Sequence, residues 1–101
     1  MGDSSSQMKL LMIIVDSKCR EELEVLLQRS GVSGYSEIPN AHGVGTSGVR
    51  MGSRAFPETS SIFFTVVTAD QIAPLKRSMN EYCDACERSM RMIQWGVEEV
   101  A

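Results

Sequence analysis

Met8-Lys9-Leu10-Leu11-Met12-Ile13-Ile14-Val15-Asp16 is the stretch on which the fold turns. Six consecutive apolar residues, Leu10 to Val15, end at Asp16-Ser17, as in a central strand buried on both faces. Ser61-Ile62-Phe63-Phe64-Thr65-Val66-Val67 repeats that character and reads as a second doubly buried strand. After the first strand, Asp16 or Ser17 caps a helix over Lys18 to Ser30, with Glu21 and Glu22 near its positive end. Cys19, Leu23, Leu26 and Leu27 share one face of a 3.6-residue period, and Gly31 supplies the C-terminal stop. Val32 to Ile38 reads as a more polar strand closed by Pro39. Thr68 and Gln71 fit a capping box for a second helix, with apolar positions Ile72, Leu75, Met79, Tyr82, Cys83 and Cys86. Pro74 predicts a distorted first turn there, or a start nearer Ile72. A last strand covers about Met90 to Val97.

The order is βαββαβ. Short connections and right-handed crossovers make this an α+β, ferredoxin-like sandwich with a four-stranded antiparallel sheet. In that topology the first and third strands are central, and these are the two continuous apolar runs. Residues 1–7 form a polar tail and residues 8–101 one domain, since a second domain needs roughly another hundred residues.

Two helices cover only one face of such a sheet. Leu10, Met12 and Ile14 alternate with Leu11, Ile13 and Val15, and Ile62, Phe64 and Val66 alternate with Phe63 and Val67. The face without helices therefore carries five large apolar side chains in one patch, and closure into an oligomer is expected.

Composition removes several function classes. With 43% hydrophobic residues the chain is not disordered, and a net charge of −3 argues against a nucleic-acid binder. An apolar run of six residues is far short of the roughly 20 that span a bilayer, so the chain is not itself membrane-embedded. Three cysteines are too few for a disulfide scaffold, which points to a reducing, cytoplasmic compartment. No nucleophile, base and orienting group assemble from the sequence, so no enzyme is expected.

Residues 40–60 hold Gly43, Gly45, Gly48, Gly52 and Pro57, and loops this long are usually functional. From Asn40 to Phe56 there are two arginines, Arg50 and Arg54, the one histidine, His42, and no acid. Glycine backbones admit an anion closely and arginine forks grip phosphate or carboxylate. The candidate ligand-binding set is Gly43, Gly45, Thr46, Ser47, Gly48, Arg50 and Arg54. A solvated hairpin is the plain alternative. Cys83-x-x-Cys86 on a helix is read as core packing; with His42 it is a weak alternative metal set.

Met8-Lys9, Ile13-Ile14, Glu21-Glu22-Leu23, Leu26-Leu27 and Gly31-Val32-Ser33-Gly34-Tyr35 resemble the opening of P-II nitrogen-regulatory proteins. Gly43-Val44-Gly45-Thr46-Ser47-Gly48 resembles that family's glycine-rich approach to its long T-loop, with Thr46-Ser47 replacing an Arg-Gln pair. Residues 46–60 hold no tyrosine for uridylylation, and Cys83 to Met90 lacks the Thr-Gly-x-x-Gly-Asp-Gly-Lys nucleotide loop. The resemblance is thus to a divergent, P-II-like member. It implies a homotrimer with sheets facing inward and a small anionic metabolite, such as an adenine nucleotide, in the clefts between subunits. It further implies a signalling role, in which residues 40–60 engage a regulated protein such as a membrane transporter. The alternative is a trimeric metal-binding protein of the divalent-cation-tolerance type, with His42, Cys83 and Cys86 as ligands.

Overall fold

A computed structural model of the chain describes residues 7–45, 48–82 and 90–101. Its elements are β1 (Met8–Asp16), α1 (Arg20–Arg29), β2 (Ser36–Ala41), β3 (Gly43–Gly45), β4 (Gly48–Arg50), β5 (Ser60–Thr68), α2 (Ala69–Tyr82) and β6 (Arg91–Gly96). Four strands form one antiparallel sheet in the order β2-β5-β1-β6, so the two apolar runs are the central pair, as the sequence requires. β3 and β4 form a separate hairpin inside the 40–60 segment.

The core lies between the sheet and the helices. Leu11, Ile13 and Val15 of β1 and Phe63 and Val67 of β5 meet Leu23, Leu26 and Leu27 of α1 and Leu75 and Met79 of α2. The Tyr35 ring leans on Phe63, centroids 5.8 Å apart. On the other face the register stacks apolar side chains in rows across the strands. Leu10 sits between Val66 and Trp95, Met12 between Phe64 and Ile93, and Ile14 between Ile62 and Arg91. Ile38 of β2 extends the last row. Val66 and Trp95 keep 40% and 42% of their surface in solvent, so no element among the described residues covers this face. The patch exceeds the five side chains expected: β1 and β5 alone supply six, Leu10, Met12, Ile14, Ile62, Phe64 and Val66, and β6 adds Ile93 and Trp95.

Several boundaries differ from the sequence reading, each for a physical reason. The first helix opens with a 3-10 turn, Ser17–Cys19, whose cap is Asp16: its Oδ1 accepts from the Lys18 N–H at 3.0 Å. Gly31 ends the helix region at φ +80, a conformation that costs glycine little. The second strand starts later than expected and runs through Pro39 to Ala41. It lies at the sheet edge, where a missing N–H removes no ladder bond, and Asn40 at φ 57 marks the irregularity between Ile38 and Ala41. α2 starts at Ala69 despite Pro74. The Thr68 N–H donates to Gln71 Oε1 at 2.8 Å, so the capping box sets the start, and the carbonyl Pro74 leaves unbonded belongs to exposed Asp70.

Cys19 is buried in the core and disulfide-bonded. The expectation that Cys83 and Cys86 are core residues falls outside the described residues.

Phe63, fully buried under Tyr35 and between both helices, is the test of this core. Phe63→Ala should cost about 3–5 kcal/mol. Urea unfolding followed by circular dichroism checks it, and a loss below about 1 kcal/mol would contradict the packing described.

Candidate functional site

The 40–60 segment is not a featureless loop. β3 and β4 pair Gly43 with Arg50, Val44 with Val49 and Gly45 with Gly48. A tight turn follows: the Met51 and Ser53 N–H groups donate to the Phe56 carbonyl at 3.3 and 3.0 Å. The Gly52 N–H donates to the Glu58 carbonyl at 3.2 Å. Gly52 adopts φ +63, and a Cβ there would stand 3.1 Å from both His42 Nε2 and Thr59 Cγ2. Glycine is needed at that position both for its backbone and for its size.

The segment is moored at one corner, the junction of β1 with the helix that follows. The Ser17 N–H donates to the Thr59 carbonyl at 3.1 Å, and the two hydroxyls of Ser17 and Thr59 lie 2.7 Å apart. Arg50, at the end of β4, turns inward and its Nη1 donates to Asp16 Oδ2. The same Nη1 donates to Glu58 Oε2 at 3.1 Å. The Arg50 and Asp16 side chains are 10% and 6% exposed, whereas Glu58 is 61% exposed. Burial pushes the Asp16 carboxyl up, but the Lys18 N–H and the Arg50 guanidinium outweigh it and hold the pKa below the ordinary value. A second network braces the edge strand: Arg20 grips both oxygens of Glu37 at 2.6 and 2.7 Å, and the Ser61 hydroxyl donates to Glu37 at 2.9 Å. These bonds, Arg20 first, hold the Glu37 carboxyl below its usual range against the effect of burial.

The sequence-derived ligand set divides accordingly. Gly43, Gly45 and Gly48 are exposed on the hairpin, and Arg54 is exposed on the turn. Arg50 faces Asp16 and Glu58 rather than open solvent, so the cationic island read from residues 40–56 is smaller than its residue count. Thr46 and Ser47 lie outside the described residues. Asp16 and Glu58 were missed as members of the site. Asp16 is 34 residues from Arg50, and Glu58 falls just past the acid-free window. A recess of about 400 Å³ opens on the uncovered side of the sheet beside Ser33, Gly34 and Ser36, floored by Leu10, Phe64 and Val66.

As for metal, no group of three histidine, cysteine or carboxylate ligands forms among the described residues. His42 is exposed, and Cys83 and Cys86 lie outside the described residues. No helix among the described residues is long and apolar enough to cross a membrane.

No family model matches the chain, and no curated protein matches it by sequence. Solved structures do. CPII, a nitrogen regulatory PII-like protein from Thiomonas intermedia K12 bound to ADP, AMP and bicarbonate, is 22% identical over 93% of each chain, with a TM-score of 0.75. A DUF3240 family protein from Shewanella baltica OS155 is 21% identical over 95% of this chain and 96% of its own, TM-score 0.72. A putative PII-like signaling protein from Thermus thermophilus is 22% identical over 89% of this chain and 86% of its own, TM-score 0.66. The chain thus has the fold of PII-like proteins across nearly its whole length.

Asp16 and Glu37 both have depressed pKa values in the folded chain, so the unfolded chain binds more protons as acid is added. Their stabilisation is present above the ordinary carboxylate range, about pH 4, and is lost as pH falls through the depressed values. Asp16→Asn, which leaves Arg50 buried without its inner partner, should cost about 3 kcal/mol at pH 7 and flatten the acid limb of stability. Urea unfolding from pH 7 to pH 2.5 checks both; wild-type stability in the variant would mean the pair holds nothing.

Proposed function

We propose that this chain is a divergent P-II-like signalling subunit, not an enzyme. It assembles as a homotrimer through its open sheet face, and an adenine nucleotide or small oxyanion in the clefts between subunits resets the 40–60 segment for a regulated partner. The observation that carries this reading is the pairing of a helix-free apolar sheet face with a fold shared with CPII, whose structures hold ADP, AMP and bicarbonate. Burying rows such as Leu10–Val66–Trp95 and Met12–Phe64–Ile93 contributes on the order of 1.5–3 kcal/mol per large side chain. The recess beside Ser33, Gly34 and Ser36 opens on that same face, so a neighbouring subunit would wall it and turn a shallow dent into a cleft.

The ligand contacts in this reading are Gly43, Gly45, Thr46, Ser47, Gly48, Arg50 and Arg54. The exposed glycines let an anion approach backbone N–H groups, and arginine supplies charge-assisted bonds of about 1.5–3 kcal/mol each. The hairpin also exposes Val44, Met51 and Phe56, apolar groups suited to a protein partner such as a transporter's cytoplasmic surface. Ordering or shifting such a segment by phosphate contacts is an established type of switch.

Calorimetric titration of the purified protein with AMP, ADP, bicarbonate, zinc and copper tests the reading, together with hydrogen exchange across residues 40–58. Saturable binding of a nucleotide or bicarbonate with changed protection in that segment is the expected result. Metal binding alone, with no response to any anion, would replace the reading with the metal-binding alternative.

A further inference from the structure

The Arg50 cluster holds one cation and two carboxylates, and the two carboxylates are not equivalent. Asp16 is the inner partner: it is nearly buried, and its other oxygen is fixed by the Lys18 N–H at 3.0 Å. Glu58 is the outer partner, 3.1 Å from the same Nη1 and 61% exposed. Asp16 alone neutralises Arg50, so Glu58 adds a second negative charge on the solvent side of a guanidinium whose charge is already met. We propose that the Glu58 carboxylate is an internal stand-in for the ligand. It fills an oxyanion subsite on Arg50 that a bicarbonate, carboxylate or phosphate group enters by displacing it. The inference rests on the regulatory reading above and names the regulation of its site.

The exchange is balanced. A singly charged oxyanion replaces a carboxylate on the same donor, the cluster keeps its net charge, and Glu58 returns to water. The chain loses little, since Glu58 is mostly exposed and Asp16 still neutralises Arg50. The incoming group gains an arginine already held in place by Asp16, with no side-chain ordering left to do. Displacement also has a structural consequence. Glu58 is the side-chain tie between the 51–58 turn and the end of β4, while its carbonyl keeps the Gly52 N–H. Freeing the side chain loosens the turn and leaves the hairpin moored through Asp16, which converts anion binding into a change of loop shape.

The test is calorimetry with sodium bicarbonate, inorganic phosphate and AMP on wild type, Glu58→Gln and Arg50→Lys. Glu58→Gln keeps the backbone bond and removes the competing charge. It should bind the same anion about 3- to 10-fold more tightly, the gain expected when a competing closed state is removed. Its 51–58 turn should exchange amide protons, before any anion is added, as fast as the liganded wild type. Arg50→Lys, which loses the fork, should bind roughly tenfold more weakly. Tighter binding of AMP alone by Glu58→Gln would assign the subsite to a nucleotide phosphate, and tighter binding of bicarbonate or phosphate would assign it to the free ion; either supports it. Binding by wild type with unchanged or weakened affinity in Glu58→Gln overturns the subsite and leaves the regulatory reading standing. No binding of any probe to wild type and Glu58→Gln overturns both.

Discussion

A four-stranded sheet with two helices has one face too few covered, and everything else in this chain follows from which side chains occupy the other. β1 and β5 are apolar on both faces because neither face is meant for water. One face is filled by Leu23, Leu27, Leu75 and Met79. The other presents apolar rows such as Ile38–Ile62–Ile14 and Val66–Leu10–Trp95. A monomer with that surface would be an aggregation hazard, and closed symmetric assembly is the ordinary solution. In the proposed assembly a neighbouring subunit would wall the recess beside Gly34, which ties the proposed ligand site to the same constraint.

The second organising feature is the corner formed by Asp16 and Ser17. Asp16 ends the central strand, caps the turn into the helix and holds Arg50; Ser17 holds Thr59. One pair of residues therefore fixes the exit of the central strand and both the middle and the end of the 43–59 segment. Any shift of the arginine is felt at the strand end, and any shift of the strand end is felt at the hairpin. This is the shortest physical route between the sheet and the segment proposed to meet a partner.

Much of this was legible in the sequence, and the reasons are local. Leu10 to Val15 and Ile62 to Val67 announce central strands by apolar continuity, Gly31 stops a helix by its conformational freedom, and Thr68 with Gln71 marks a helix start by hydrogen-bonding reach. What was not legible depends on position in the fold. Pro39 was read as a strand end, although the topology read from the sequence already put that strand at an edge, where proline is tolerated. Gly43-Val44-Gly45 has too little side chain to announce a strand, yet it pairs with Gly48-Val49-Arg50. Arg50 was read as an anion ligand in an acid-free stretch, and its carboxylate partners, 34 residues before and eight after, lay outside that stretch. Charge counted along a chain is not charge at a site.

Sedimentation equilibrium of the wild-type protein beside Phe64→Asp tests the central claim most directly. Phe64 lies in the middle of the open face, between Met12 and Ser36, and contributes nothing to the helix-side core. The account predicts a wild-type species near 33 kDa, about three times the 11.1 kDa chain, and a folded Phe64→Asp monomer. A wild-type protein that remains an 11.1 kDa monomer at micromolar concentration would contradict it, because the apolar face would then have to be stable in water on its own.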